Sequence, residues 1–319
     1  MILKLPVGHA KLVKIKEQFM NEISVSIIIP TYNRENFVTR AVNSVLSITD
    51  SNIELLVIDN ASDDNTVNRL KIFENDKRFR IIVNKENCER SYSRNKGMKE
   101  AKGSFLTFLD SDDTIDPLIF NKFREFYKNN KQYNIFYTNY RFVDRANNEI
   151  KKNRIEMPYC NQDILANGNH LSNIGVFFSK VVYKNISFDE NKEIIGIEDY
   201  DFNLRTLNKF GTAIRFSKKP LANICEHLDR SINLDSVKVA EKRFIYFKNK
   251  ILNDPSYKSF STKIKKRIIS TSCIYLSLIC VRNEKKYKCI KYLYISILNS
   301  SLIFLDRRFV SIFYKLIFS

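Results

Sequence analysis

The sequence predicts an α/β fold: a mostly parallel sheet flanked by helices, followed by a basic helical extension. Four short apolar runs rich in β-branched residues alternate with segments of helical spacing before residue 110, a pattern typical of parallel α/β sheets. Polar and acidic side chains follow these runs, and open α/β sheets bind ligands at the carboxyl ends of their strands. From Ser236 onwards the spacing becomes helical, with 18 Lys and Arg against 4 Asp and Glu. This segment carries +14 of the net charge of +18.

The first half of the chain alternates between strands and helices. Strands are predicted over residues 25–30, 53–58, 79–83 and 104–109, and helices over 37–48, 67–73 and 91–101. A further helix over 118–126 leads to one or two strands over 134–143, and another strand is expected at 174–178. The polar segment 145–170 has weak periodicity, which predicts a loop region or lid.

The second half begins with a helix that has acidic residues in its first turn and ends at Gly211. Short strands are predicted over 213–216 and 221–225, and a helical hairpin over 264–298 with a charged turn at 283–288. We therefore expect an N-terminal extension at 1–22 with a helix over 11–19, a catalytic domain at 23–235 and a helical region at 236–319.

Several classes of protein do not fit this chain. A hydrophobic content of 44% with 13% aromatic residues excludes a disordered protein. The six cysteines form no Cys-x-x-Cys pair, which indicates reduced structural thiols of a cytosolic protein. The longest uncharged runs, 268–281 and 292–305, are too short to span a bilayer, and no secretory signal is visible. Glycine-rich motifs for dinucleotides and nucleotide triphosphates, and the nucleophile elbow of hydrolases, are absent from the sequence.

The fourth strand ends in Asp110-Ser111-Asp112-Asp113. Carboxylates packed so closely repel one another unless a cation lies among them, and a divalent metal that also binds phosphate is one solution. The alternative is a polar turn that leads into a helix. With an aromatic residue and an acid at other strand ends, the set suits a nucleoside diphosphate. Chemistry on an attached sugar would need a further carboxylate as general base, and Glu198-Asp199 is the best candidate.

Five segments resemble the family-two inverting glycosyltransferases, which have the GT-A fold. They are Ile27-Ile28-Ile29-Pro30-Thr31-Tyr32-Asn33, Val57-Ile58-Asp59-Asn60-Ala61-Ser62-Asp63-Asp64, Ser93-Arg94-Asn95-Lys96-Gly97, Phe108-Leu109-Asp110-Ser111-Asp112-Asp113 and Glu198-Asp199. The resemblance covers roughly residues 23–230. Two departures stand out: Asn60-Ala61-Ser62 replaces the usual acidic residue and glycine, and residues 88–91 lack a glycine often found there.

The resemblance implies a role for each matching residue. The donor nucleotide sugar, most commonly a UDP-sugar, would be bound by Pro30, Thr31, Tyr32, Asp59, Arg94, Asp110 and Ser111. Mn²⁺ or Mg²⁺ would be bound by Asp112, with Asp113 and His227 as further candidates. Asp199 would deprotonate the acceptor hydroxyl, supported by Glu198, and the anomeric configuration would invert. The reaction class is that of a hexosyl- or N-acetylhexosaminyltransferase.

Each of these residues also has a structural interpretation. Asp59 could close a turn, Tyr32 could pack within its loop, and Arg94 could lie on a solvated helix face. Glu198 and Asp199 could serve the helix dipole, and a lone histidine such as His227 is more often structural than a ligand.

The basic helical region leaves several interpretations open. It could hold the enzyme on an anionic membrane surface beside a glycan or lipid-linked acceptor, as in assembly of lipopolysaccharide or capsule. It could equally pack against the catalytic domain or a second subunit. Alternatives for the whole chain are a catalytically inactive binding subunit, or a basic protein that binds membranes or nucleic acid. The acids at the strand ends argue against a nucleic-acid partner. We expect a cytoplasmic enzyme, peripheral on the inner membrane face.

Overall fold

The structure is a computed structural model that describes residues 23–152, 157–227 and 236–318. The predicted extension 1–22 with its helix lies outside the described residues. The strands and helices, in chain order, are β1 (Val25–Thr31), α1 (Val38–Leu46), β2 (Ile53–Asp59), α2 (Thr66–Leu70), β3 (Phe79–Val83), α3 (Glu89–Glu100), β4 (Phe105–Phe108), β5 (Thr114–Ile115), α4 (Ile119–Tyr127), β6 (Ile135–Val143), β7 (Glu149–Lys152), β8 (Tyr159–Cys160), α5 (Gln162–Leu165), β9 (Val176–Ser179), α6 (Lys180–Tyr183), α7 (Glu198–Phe210), β10 (Ala213–Cys225), α8 (Val237–Asn253), α9 (Thr262–Arg282), α10 (Lys286–Asn299) and α11 (Arg307–Phe318). Short 3-10 helices lie at Lys71–Phe73, Lys192–Ile194, Pro255–Tyr257 and Ser301–Leu305.

The chain divides into two units, each discontinuous in sequence. Unit 1 comprises the described parts of Met1–Glu156 with Asn173–Ser187 and Ile214–Cys225. Unit 2 comprises Met157–Ser172, Phe188–Ala213 and the described parts of Glu226–Ser319.

Unit 1 is built on a sheet with the strand order β3-β2-β1-β4-β9-β6-β10-β5. The strands β3, β2, β1 and β4 are parallel, as the alternation of strands and helices predicts. β9 then runs antiparallel to both β4 and β6, and β5 antiparallel to β10. The sheet is therefore parallel from β3 to β4, where the first four motifs lie, and β9 and β5 run antiparallel to their neighbours in the sheet.

The apolar run of β1 is buried on both of its faces, which explains why it shows no alternation of polar and apolar residues. On one side of the sheet, α3 packs so closely that a β-carbon at Gly97 would lie 2.6 Å from Cγ2 of Ile28. On the other side aromatic rings fill the core, and the rings of Phe123 and Phe177 stack with centroids 4.3 Å apart.

Two predictions from the sequence are wrong in this region. Part of the presumed loop or lid at 145–170 is regular: β7 pairs with β6 to form a hairpin, and α5 follows. The two short strands predicted over 213–225 are the single strand β10. The side chains of Thr138 and Asn139 donate hydrogen bonds to the carbonyls of Lys219 and Lys218, which holds the polar middle of β10 in the sheet.

Unit 2 contains α7 and the helices α8 to α11. The predicted helical hairpin is formed by α9 and α10, with the hydroxyls of Ser270 and Ser296 2.9 Å apart at its contact. All six cysteines are free thiols. Burial raises the pKa of Cys273 to about 12, so this thiol remains protonated at neutral pH, in agreement with a structural role.

Candidate active site

The predicted donor-binding residues of unit 1 lie along the carboxyl ends of three adjacent parallel strands. Thr31 of β1 and Asp59 of β2 are paired in register, and Asp110 follows β4, the neighbour of β1 on its other side. The hydroxyl of Thr31 is buried and makes no hydrogen bond. Because nearly every buried polar atom in a native protein has a hydrogen-bond partner, a bound water or ligand is expected to complete this position. Pro30 is half-buried beside it.

Asp59 is fully buried, and its carboxylate accepts hydrogen bonds from the backbone N–H of Ser62 (3.0 Å) and from its hydroxyl (2.6 Å). The Ser62 hydroxyl in turn accepts from the N–H of Asn33 at 2.9 Å. Asp59 therefore closes the turn after β2 and connects it to the loop after β1. The structural interpretation of Asp59, that it closes a turn, is therefore correct for these hydrogen bonds.

The two loops are joined by further hydrogen bonds. Asn33 and Asp63 bond reciprocally, and the N–H of Arg34 donates to the hydroxyl of Thr66 at 2.8 Å. Partial burial alone would raise the pKa of Asp64, but hydrogen bonds from the hydroxyl and N–H of Thr66 and from the N–H of Glu35 lower it. The acids at 63 and 64 therefore serve the loop structure.

Ala61 lies in this turn with φ +62°, where the related motif has glycine. A residue with a β-carbon loses about 1–2 kcal/mol of stability in the left-handed backbone conformation. Glycine avoids this cost, but its unfolded chain has more conformational entropy to lose, which costs about 0.5–1 kcal/mol relative to alanine. We expect Ala61→Gly to raise the free energy of unfolding by up to about 1 kcal/mol in urea titrations. Ala101→Gly is the matched control, because Ala101 is extended with φ −64°, and should lower that free energy. A loss of stability in Ala61→Gly would contradict the assignment of strain.

Arg94 of α3 is only 3% exposed and donates to Asp110, with Nη2 2.9 Å from Oδ1. The solvated-face interpretation of Arg94 is therefore wrong. The Asp110 side chain is 46% exposed, so one end of this pair is fixed in the core and the other faces solvent. The buried guanidinium of Arg94 therefore fixes the position of the Asp110 carboxylate at the end of β4.

The two acids after Asp110 differ in their surroundings. Asp113 is buried, and its Oδ1 accepts the N–H of Cys225 from β10 at 2.9 Å, which is a structural contact. Asp112 is more exposed, and its carbonyl accepts from Nη2 of Arg40 at 2.8 Å. Among the described residues no three His, Cys, Asp or Glu side chains form a metal-binding group. A metal bound through one carboxylate and substrate phosphates, as Mg²⁺ often is, needs no such group.

Two further residues complete the candidate donor site. Tyr32 is 41% exposed, so part of its ring is accessible for stacking on a base. Ser111 is buried between Asp110 and Asp112.

In unit 2, the acidic pair forms the start of α7, directly after the turn at Gly196. Glu198 is buried, and its Oε2 accepts the N–H of Gly196 at 2.6 Å. Asp199 is half-buried, with Oδ2 accepting from Nδ2 of Asn169 at 2.9 Å. Glu198 thus braces the turn, while Asp199 faces a cavity. His227 is also buried in this unit.

A buried charge network, not predicted from the sequence, starts two residues later. Asp201 is fully buried and accepts hydrogen bonds from Arg205, Lys250 and Tyr257. Burial, with the neighbouring Asp201 carboxylate, raises the pKa of Tyr257 well above its usual value, so the phenol remains a donor. Only the spacing of Asp201 and Arg205, four residues apart on α7, was visible in the sequence.

Residues 26–188 match the family "Glycosyl transferase family 2". The chain belongs to glycosyl transferase family 2. It is a nucleotide-sugar glycosyltransferase with a GT-A-like fold, as the motifs predict.

Among relatives, an uncharacterized glycosyltransferase of Haemophilus influenzae is 31% identical over 201 residues, 62% of this chain and 77% of that protein. The UDP-Glc:alpha-D-GlcNAc-diphosphoundecaprenol beta-1,3-glucosyltransferase WfgD of Escherichia coli is 43% identical over 95 residues. That match covers 30% of this chain and 37% of WfgD, so the chain matches little more than a third of that relative.

Two solved structures show the same fold. Residues 1–349 of TarS from S. aureus, in complex with UDP-GlcNAc, align with a TM-score of 0.66 at 18% identity, covering 87% of this chain and 81% of that one. The mannosyltransferase PcManGT from Pyrobaculum calidifontis, in complex with GDP-Man and Mn²⁺, aligns with a TM-score of 0.56 at 13% identity, covering 94% and 84%.

Proposed function

We propose that this glycosyltransferase moves a sugar from a UDP-sugar to a hydroxyl of a glycan or lipid-linked glycan, with inversion at the anomeric carbon. The observation that carries the proposal is the edge of the sheet in unit 1, where Thr31, Asp59 and Asp110 lie at the carboxyl ends of three adjacent parallel strands. The exposed ring of Tyr32 would stack on the base. The Asp110 carboxylate, fixed by Arg94, would accept hydrogen bonds from the ribose.

In this reaction Asp199 would take the proton of the acceptor hydroxyl while that oxygen attacks the anomeric carbon. The bond from the anomeric carbon to the diphosphate breaks on the opposite face, and UDP leaves with the bonding electrons. Mn²⁺ or Mg²⁺ bound by Asp112 and the diphosphate would neutralise the charge that develops there. Asp113 and His227 remain less favoured as ligands: Asp113 already binds the backbone of β10, and both side chains are buried.

Loss of the metal ligand provides the first test. We expect UDP release from a panel of UDP-sugars to require a divalent cation and to fall about 10²-fold or more in Asp112→Ala, because removing comparable charge stabilisation has effects of this size. Asp163→Ala is the control, since Asp163 is exposed in unit 2, and should retain activity. Full activity of Asp112→Ala, or activity in chelator, would show that the metal assignment is wrong.

The exposed face of α10 and α11 supports the proposed membrane contact. Tyr287, Ile290, Tyr294 and Leu298 recur on α10 at helical spacing and are all exposed. Between residues 285 and 319 the sequence has seven Lys and Arg and one Asp. No helix of the described residues is long and apolar enough to cross a bilayer. Apolar side chains with cations around them suit insertion at the headgroups of an anionic lipid surface.

Vesicle flotation tests this surface. We expect binding to vesicles of phosphatidylglycerol and phosphatidylcholine, about tenfold or more weaker binding to phosphatidylcholine alone, and loss of binding in a Tyr294→Glu, Leu298→Glu variant. Ile72→Glu, which changes an exposed residue of unit 1, should bind as the wild type does. Equal binding to both vesicles would refute the membrane contact. The membrane contact would also be refuted if light scattering showed the wild type to be a dimer and the double variant to be a monomer, because the exposed face would then be a subunit interface.

A further inference from the structure

A cavity of ≈ 320 Å³ lies within unit 2, and Asp199 is part of its wall. This volume falls in the range of small-molecule sites. One part of the cavity wall is aromatic and is formed by Phe244, Phe247 and Tyr275. Polar groups come from Asn169, Thr271, Ser272 and Arg243. Aromatic rings together with hydrogen-bonding groups are suited to a sugar, which has both an apolar ring face and hydroxyl groups.

A second cavity, of ≈ 480 Å³, adjoins the first, since Thr271 and Arg308 line both. Arg267, Arg307 and His170 also line this cavity. Burial, reinforced by the charge of Arg308, lowers the pKa of His170, so its ring is neutral at pH 7 and can still donate one hydrogen bond.

Arg308 is fixed where the two cavities meet. Its Nε and Nη2 bind the carboxylate of Asp306, and Nη2 also donates to the carbonyl of Asn167 at 2.9 Å. Nη1 lies beside Gly168, 3.3 Å from the position that a β-carbon would take there. Gly168 itself lines the first cavity. The guanidinium is therefore held in one orientation, which lowers the entropy lost when it binds a ligand.

The charge of the paired cavities is positive. Four arginines line the two cavities, whereas only two carboxylates do. The arginines are Arg243, Arg267, Arg307 and Arg308, and the carboxylates belong to Asp199 and Asp306. Guanidinium groups match the geometry of phosphate oxygens. An occupant with a neutral sugar at one end and a phosphate at the other would therefore match both chambers.

We infer that the two cavities bind a phosphorylated acceptor, a glycosyl phosphate or diphosphate, with its sugar beside Asp199 and its phosphate at Arg308. The inference rests on the proposed function only in that Asp199 takes the proton of the acceptor hydroxyl. It assigns Arg308 and Arg307 to recognition of the acceptor, apart from the donor residues of unit 1.

Calorimetric titration of the full chain without donor tests this inference. Glucose 1-phosphate should bind about tenfold or more tightly than glucose, because hydrogen bonds to a charged group strengthen binding by at least that factor. Arg308→Gln should remove the preference, and Arg307→Gln, at an exposed position, should reduce it with little risk to folding. Lys315→Gln is the charge control on the same helix, because Lys315 lines neither cavity. Equal binding of the two probes, or a preference that survives Arg308→Gln, would overturn the inference.

Two further arms complete the experiment. A glucosyl diphosphate with a short prenyl chain that binds more tightly than glucosyl methyl diphosphate, which carries the same phosphates, would identify a lipid-linked source, and equal affinity a soluble one. Titration of UDP with Mg²⁺ tests the donor site separately, and Arg308→Gln should leave it unchanged. If UDP does not bind while the Arg308-dependent preference remains, the proposed function fails and the acceptor site stands.

Discussion

Asp199→Asn is expected to lower kcat for sugar transfer by about 10²–10⁴-fold, the usual contribution of a general base. The asparagine can keep the contact with Asn169, which donates to Asp199 Oδ2 at 2.9 Å, but it cannot accept a proton from the acceptor. The variant should therefore fold and bind donor normally. Steady-state kinetics measure kcat, and the thermal shift caused by a UDP-sugar with Mg²⁺ measures donor binding.

Glu125→Gln is the matched control for this prediction, because Glu125 is an exposed acid on α4 of unit 1. Its kcat should equal that of the wild type. If Asp199→Asn loses donor binding, Asp199 belongs to nucleotide recognition and the base must be another residue. Unchanged kcat would remove Asp199 from the chemistry altogether.

Asp201→Ala should have the largest effect on stability, a loss of about 3–5 kcal/mol in the free energy of unfolding, because it removes the buried carboxylate from an ion-pair network with Arg205 and Lys250. Nη2 of Arg205 lies 2.6 Å from Oδ2 of Asp201, and Nζ of Lys250 lies 3.1 Å from the same oxygen. The Asp201 carboxylate is fully buried, so water cannot replace it. Because the network joins the first turn of α7 to α8 and Tyr257, its loss should also weaken the placement of Asp199.

Urea unfolding followed by circular dichroism measures this loss. Glu241→Ala is the comparison, because Glu241 pairs with Lys288 across α8 and α10 at a partly exposed site, where such pairs contribute about 0–1 kcal/mol. If Asp201→Ala lowered the free energy of unfolding by less than about 1 kcal/mol, the buried network would stabilise the protein no more than a surface ion pair does.

The parallel half of the sheet could be predicted because its signals are local. A β-branched run such as that of β1 stops at Pro30-Thr31, and an acid or aromatic residue ends or follows three of the four parallel strands, β1, β2 and β4. Parallel pairing then brings these ends to one edge without further information. Asp59, Asp110 and Asp112 were predicted as site residues in this way, and the structure places all three in unit 1.

The features that sequence analysis missed depend on contacts between distant residues. β10 was divided in two because Lys218, Lys219 and Pro220 interrupt its apolar pattern, whereas hydrogen bonds from β6 keep the strand continuous. The partner of Asp201 on α8 is 49 residues away in the chain. Local periodicity carries no information about pairs of this kind.

The most direct test of the central claim is proton NMR of the reaction with an α-linked UDP-sugar and Mg²⁺, followed from the first turnovers. We predict consumption of the donor, release of UDP and first appearance of the β-configured product. Appearance of the α-configured product would contradict inversion and the role of Asp199. No consumption of any UDP-sugar, with UDP failing to bind, would contradict the assignment of the donor site.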